Sequence, residues 1–200
     1  MSLRRLLFLL VALLSLAAQA VPGRASAEWE DTEGDATALP GVESTPRPSD
    51  PELDVVFSGF KVSGDSIVAT TRVVKLGVAV GSGGSVFQYH FTHKDVGYYF
   101  QGLTGSAEYQ QFFLNNPRFY RVNPDPTADN EELRCDCKFA TDPKTNSAIF
   151  TIKISSVAKP LKVSPGSIEV GGLAVKTFRR ANNYIDADIS AAPEALKFRA

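Results

Sequence analysis

The chain has 200 residues, with 21 Lys and Arg against 22 Asp and Glu, so its formal net charge is −1. That balance excludes the clustered cationic excess of a nucleic-acid footprint and gives no general attraction to an anionic membrane, while leaving room for a local basic patch. Two cysteines are too few for a disulfide framework, and a domain of this length can bury a core without one.

Met1 to Arg5 is a short basic start, followed by the apolar run Leu6 to Leu16 and by two small-residue motifs, Ala18-Gln19-Ala20 and Ala25-Ser26-Ala27. This is the layout of a cleaved secretory signal, which we assign to residues 1–27. The expected location is therefore secreted, or the lumen of a secretory-pathway compartment. The apolar run is shorter than the ~20 residues of a membrane-spanning helix, and no later run approaches that length, so no transmembrane segment is expected after signal removal. Cleavage after Ala27 removes Arg4, Arg5 and Arg24 and no acid, three positive charges, which takes the net charge from −1 to −4. Residues 28–51 are rich in Asp, Glu, Thr, Ser and Pro, with Trp29 as the single aromatic and no period. They read as a disordered, acidic, Pro-containing linker or pro-segment.

From Leu53 the character changes, and residues 53–190 read as a single β-rich domain. Leu53 to Val62 and Ile67 to Val80 are dense in Val, Phe, Thr and Ile, with Gly64-Asp65 as a hairpin turn between them. Gly81 to Ser85 is a flexible loop without the Gly-Lys-Ser/Thr of a phosphate cradle. Val86 to Phe91 and Val96 to Phe100 form the next strand pair, joined through Thr92 to Asp95. Ser106 to Leu114 has the marks of a helix: an N-capping Ser106, Glu108 in the first turn, and Tyr109, Phe112 and Phe113 on one face. Arg118 to Val122 reads as a short strand and Asn123 to Glu132 as an acidic surface loop. Leu133 to Ala140 and Ala148 to Ile154 read as strands around Asp142 to Asn146, and Lys159 to Pro165 as irregular. Ser167 to Ser190 forms a closing hairpin across Ala181-Asn182-Asn183, with Phe178 and Tyr184 packing inward. Residues 191–200 are a short C-terminal tail. Strands at this spacing predict a mainly β fold, an antiparallel β-sandwich or curved sheet with one packed helix at about 106–114.

Chemistry-bearing constellations are sparse. His90 and His93 are three apart at a strand end, so their rings need not converge, and Cys-x-Cys is shorter than a zinc knuckle; no metal site is expected. Cys135 and Cys137, two apart in a strand, face the same side and form either a vicinal-type disulfide, with its Cα atoms near the upper limit of disulfide geometry, or free or intermolecular thiols. No Gly-x-Ser-x-Gly elbow and no activated nucleophile is present, so no catalytic residue, no cofactor and no enzyme activity is expected. The aromatics are concentrated. Tyr89, Phe91, Tyr98, Phe100, Phe112 and Phe119 are the candidate walls of an apolar ligand pocket, set against the alternative of an ordinary core.

Leu173 to Ser190, with its Leu…Phe-Arg…Asn-Tyr…Asp-Ile pattern, resembles the end of the START-associated C-terminal domain of the plant enhanced-disease-resistance protein family. Phe112 to Tyr120 and Phe60 to Gly64 look like two of that family's shorter motifs, in the correct order. The good stretch covers under a tenth of the chain. The resemblance implies a lipid-related, membrane-associated role without a defined catalytic site, and it transfers no site residue. The expected function is thus a secreted or secretory-pathway non-enzymatic binding domain, with lipid or an apolar small molecule as the implied ligand. The second expectation is a secreted β-sandwich structural or protein-interaction module with a protein partner.

Overall fold

The computed structural model describes residues 26–34, 37–38, 51–76, 85–104, 117–181, 184–193 and 198–200. They form a mainly β molecule of two antiparallel sheets and a single described helix. The first sheet has the order β1 (Ser26–Glu30), β3 (Val55–Ser63), β4 (Ser66–Val73), β10 (Ser147–Lys153), β9 (Cys137–Asp142). The second runs β2 (Thr37–Ala38), β12 (Tyr184–Ala191), β11 (Glu169–Ala181), β5 (Val86–His93), β6 (Val96–Leu103), β7 (Arg118–Arg121), β8 (Glu131–Leu133), with β13 (Phe198–Arg199) paired to the start of β11.

Local chemistry explains the hairpins. Gly64 at φ 60° carries the two-residue turn between β3 and β4. Lys94 and Asp95, both at positive φ, form the corresponding turn between β5 and β6. Two positive φ values in succession match the right-handed twist of the strands they join. In β11 one extra residue sits between Gly171 and Ala174, and Gly172 at φ 56° fills that bulge. A Cβ there would lie 2.8 Å from Thr92 Oγ1, so only glycine lets the two strands approach.

Alternation along the strands sends one set of side chains into the sandwich. Phe60, Ala69 and Phe150 share a register row on the first sheet, facing Val175, Tyr89, Phe100 and Phe119 on the second. Ring contacts cross the layers: Phe60 to Tyr89 at 6.3 Å, Tyr89 to Phe150 at 6.1 Å and Phe100 to Phe150 at 5.1 Å between centroids. Each buried ring contributes about 1.5–3 kcal/mol by leaving water, and each well-placed pair about 0.5–1.5 kcal/mol more. At the β9 edge Phe139 lies flat over Gly102 of β6, where an added Cβ would come within 2.1 Å of the ring. One end is closed by helix α1 (Ile154–Leu161), whose buried Val157, Ala158 and Leu161 join the same core.

Several expectations change. The stretch read as a disordered linker contributes β1, in which Ala27 and Trp29 are buried and the indole N–H donates to Ser190 Oγ at 2.8 Å. Two inward residues separated by exposed Glu28 are enough for an edge strand despite the acidic composition. Ser26 and Ala27 belong to that strand, paired with Lys61 and Phe60. Cleavage after Ala20 leaves β1 whole, whereas cleavage after Ala27 removes two of its residues. The C-terminal tail is likewise part of the fold: Phe198 is 1% exposed, and Ala200 and Ile168 exchange backbone hydrogen bonds of 2.9 Å. Helix α1 occupies residues read as strand end and irregular loop, while the helix expected at 106–114 lies outside the described residues. Phe178 stands on the outer face of its sheet opposite Val86, because Thr177 takes the inward position; the side chain of Tyr184 lies outside the described ones. Among the described residues no helix is long and apolar enough to cross a membrane.

Candidate functional site

Five of the six candidate pocket residues come together. Tyr89, Phe91, Tyr98, Phe100 and Phe119 are buried and pack ring on ring, with Phe91 to Tyr98 at 5.4 Å and Phe100 to Phe119 at 5.0 Å. Phe112 lies outside the described residues. The space beside them, bounded by Phe60, Ile67, Phe91, Phe100, Val157 and Phe198, is about 10 Å³. That is no more room than one water needs. The Tyr89 hydroxyl donates to Ala148 O at 2.9 Å, and burial pushes its ionisation well above the ordinary phenol value.

The histidines stand apart. His90 sits on the outer face of the second sheet, stacked on Tyr99 at 5.1 Å, and its Nε2–H donates to Gln88 Oε1 at 3.0 Å. Burial, then the nearby charge of Lys176, push its pKa down to about 4. His93 Nδ1–H donates to the Glu169 carbonyl at 2.9 Å. Among the described residues no three His, Cys, Asp or Glu side chains converge as metal ligands would.

Three buried carboxylates went unread in the sequence: Glu52, Asp54 and Asp188. Each fastens chain to chain. Asp188 accepts the Val55 N–H at 2.8 Å, Asp54 accepts the Gly34 N–H at 2.8 Å, and Glu52 accepts the Thr104 hydroxyl at 3.3 Å. Hydrogen bonds to charged acceptors are the strong class, and here they tie the segment before β3 to its neighbours.

An open concavity lies elsewhere, where the chain crosses from the β8 edge of one sheet to the β9 edge of the other. The crossing, Arg134-Cys135-Asp136, is pinned twice to the start of α1. Asp136 N–H donates to Ser156 Oγ at 2.9 Å, and Lys153 N–H donates to Asp136 O at 2.9 Å. Cys135 and Cys137 are joined in a disulfide with a Cα separation of 5.4 Å. This is shorter than the extended spacing expected, because the chain leaves strand geometry between β8 and β9. Between this crossing and α1 runs a groove of about 720 Å³, lined by Arg121, Arg134, Lys159 and Lys162 together with Leu133 and Pro160. Glu131 and Asp136 are its acids. Arg121 meets Glu131 only at 3.7 Å with both side chains more than half exposed, a pairing of little strength. Among the described residues Arg134, Lys159 and Lys162 have no ion-pair partner.

The backbone makes Lys162 notable. It ends α1 at φ 56°, its N–H donates to Lys159 O, and the Val163 N–H donates to Ala158 O at 3.1 Å. That is the Schellman arrangement, whose left-handed position strongly favours glycine. A lysine there sacrifices local stability and places a cation on the groove wall.

Sequence reading missed the groove because its cations lie at 121, 134, 159 and 162, on a strand, a crossing and a helix end that only the topology assembles. The unusual Lys162-Val163 end of a helix was invisible once Pro160 had argued against a helix. No protein-family model matches this chain, and neither a curated protein nor a solved structure does.

Proposed function

We propose that the protein is a secreted, non-enzymatic β-sandwich binding module that holds an acidic, extended protein segment in the groove between the Arg134–Asp136 crossing and α1. The observation that carries this reading is the set of four cations lining one groove, three of them without an ion-pair partner among the described residues, in a chain of net charge −1. Carboxylates arriving there would be met by two guanidinium forks and two ammonium groups. Leu133 and Pro160 offer apolar lining for side chains between the acids. Strand β8, on the same wall, has β7 as its only strand neighbour among the described residues. Its outer edge can therefore pair with an extended backbone, which favours polypeptide over a compact anion.

The lipid ligand implied by the family resemblance needs enclosed apolar room, and the space beside the aromatic cluster is about 10 Å³. Among the described residues that space is thus the weaker place to look for a ligand. The test is fluorescence anisotropy of a labelled Glu/Asp-rich peptide against the oxidised protein, with anionic phosphatidylserine vesicles as competitor. The expected result is saturable binding that weakens with salt, as unburied charge pairs require, and that is lost in R121Q/R134Q/K159Q/K162Q. Equal binding by that variant, or preference for the vesicles, overturns the reading.

A further inference from the structure

The disulfide at the groove has two chemically different sulfurs. Cys135 lines the concavity together with Arg121, Arg134, Lys159 and Lys162, whose four positive charges outnumber the acids there, Glu131 and Asp136. Cys137 opens β9, and its Sγ lies 3.3 Å from the carbonyl oxygen of Pro117, against 3.9 Å for Cys135. Both residues are half-buried, neither sealed in the core nor fully exposed. A partly exposed cysteine beside cations is the environment that favours thiolate, while a carbonyl within reach of a sulfur favours the protonated thiol, because it can only accept.

We propose that the Cys135–Cys137 disulfide is an exchange site through which the groove covalently captures an anionic, thiol-bearing partner. The partner's thiolate attacks Cys135 Sγ. A new sulfur–sulfur bond forms between partner and Cys135, and the Cys135–Cys137 bond breaks with its electron pair on Cys137 Sγ. Cys137 takes a proton from solvent and donates it in a hydrogen bond to Pro117 O. One disulfide replaces another, so no external oxidant or reductant is consumed. Charge steering, not leaving-group order, gives the exchange its direction. The cations concentrate the incoming thiolate at Cys135, and Pro117 O keeps the departed Cys137 protonated and therefore slow to attack the mixed disulfide and release the partner, although the same basicity makes Cys137 the slower leaving group. The partner's charge preference rests on the binding reading above; the exchange itself does not, since acidic-peptide binding is measured on the oxidised protein with no thiol present.

The test exposes the oxidised protein to mercaptosuccinate (anionic), 2-mercaptoethanol (neutral) and cysteamine (cationic) at matched thiolate concentration, with acid quenching and mass analysis of the intact protein and its peptides. The expected result is a mixed disulfide mapped to Cys135, forming about tenfold faster with mercaptosuccinate than with cysteamine, at the low end of electrostatic steering. R134Q/K159Q should bring the two rates together. Absence of adduct, an adduct mapped to Cys137, or an unchanged ratio in the variant overturns the proposal. Two single-thiol variants keep the asymmetry testable if adducts resolve too quickly to trap. In C137S the remaining Cys135 should alkylate with iodoacetamide with a pH midpoint below the ordinary cysteine value of about 8.5, and in C135S the remaining Cys137 should show a midpoint above it. Coincident midpoints contradict the assignment of roles.

Discussion

Between the sheets, Phe60, Tyr89, Phe100 and Phe150 come from four strands and pack ring on ring, and the space beside them, bounded by Phe60, Phe91, Phe100 and Phe198, is about 10 Å³. Along the open edge, Arg121, Arg134, Lys159 and Lys162 come from three segments, β7, the crossing and the end of α1, and they line a groove of about 720 Å³. Both regions are assembled by topology from distant residues, but they differ in what satisfies them. The rings satisfy one another by dispersion and burial, and their removal costs stability. The cations stand in water without mutual benefit, and like charges gathered in one groove repel. The proposed acidic segment would give that gathering a counter-charge.

The comparison breaks most visibly at Phe100, whose ring contacts Phe91, Phe119 and Phe150. Phe100→Ala should cost about 3–5 kcal/mol in urea unfolding, the range for emptying a large buried ring site. It should leave the acidic-peptide affinity of the folded fraction unchanged. A loss below about 1 kcal/mol would mean that the interior collapses easily, and the two regions would then differ less than claimed.

A medium effect is expected on the outer face of the second sheet. His90, with its pKa lowered to about 4 by burial and then Lys176, stays neutral in the folded state while the unfolded chain protonates near 6.5. Between those values the unfolded state binds more protons, so stability falls as pH is lowered from about 6.5 toward about 4. The loss attributable to His90 reaches about 2–3 kcal/mol at the acid end. Wild type and His90→Gln compared by denaturant midpoints at both ends of that window isolate this contribution. An NMR titration placing His90 at its ordinary pKa would contradict it.

The smallest effect sharpens the contrast in a single residue. Lys162→Gly should raise stability by up to about 1 kcal/mol, since glycine adopts the left-handed position without the Cβ penalty. It should also weaken acidic-peptide binding by removing one groove cation. A variant that gains stability and binds as before would remove Lys162 from the site.

Much of the sheet architecture was legible in particular residues. Gly64-Asp65, Lys94-Asp95 and Asp142 to Asn146 mark turns by their chemistry, and the alternation of Phe87, Tyr89 and Phe91 with polar residues marks a strand by its period alone. Edge elements were hidden by composition. Glu28-Trp29-Glu30 looks like part of a solvated acidic run, although Ala27 and Trp29 already alternate with exposed residues. Phe198 sits in a pattern too short to carry any period. Helix α1 was obscured by Ile154 and Val157, β-branched residues with strand preference, and by Pro160 within it; tertiary packing of Val157, Ala158 and Leu161 overrides those local tendencies. The groove was the least legible feature, because a spacing rule can find ligands along one element but not cations brought together from a strand, a crossing and both ends of a helix's last turn.

The most direct measurement is a backbone amide NMR titration of the oxidised protein with the acidic peptide. The account predicts shift changes confined to β8, the Arg134–Asp136 crossing and residues 155–162, with the amides of β5 and β6 around Tyr89 and Phe100 unmoved. Changes centred instead on the aromatic interior, or spread without focus over the surface, would contradict it.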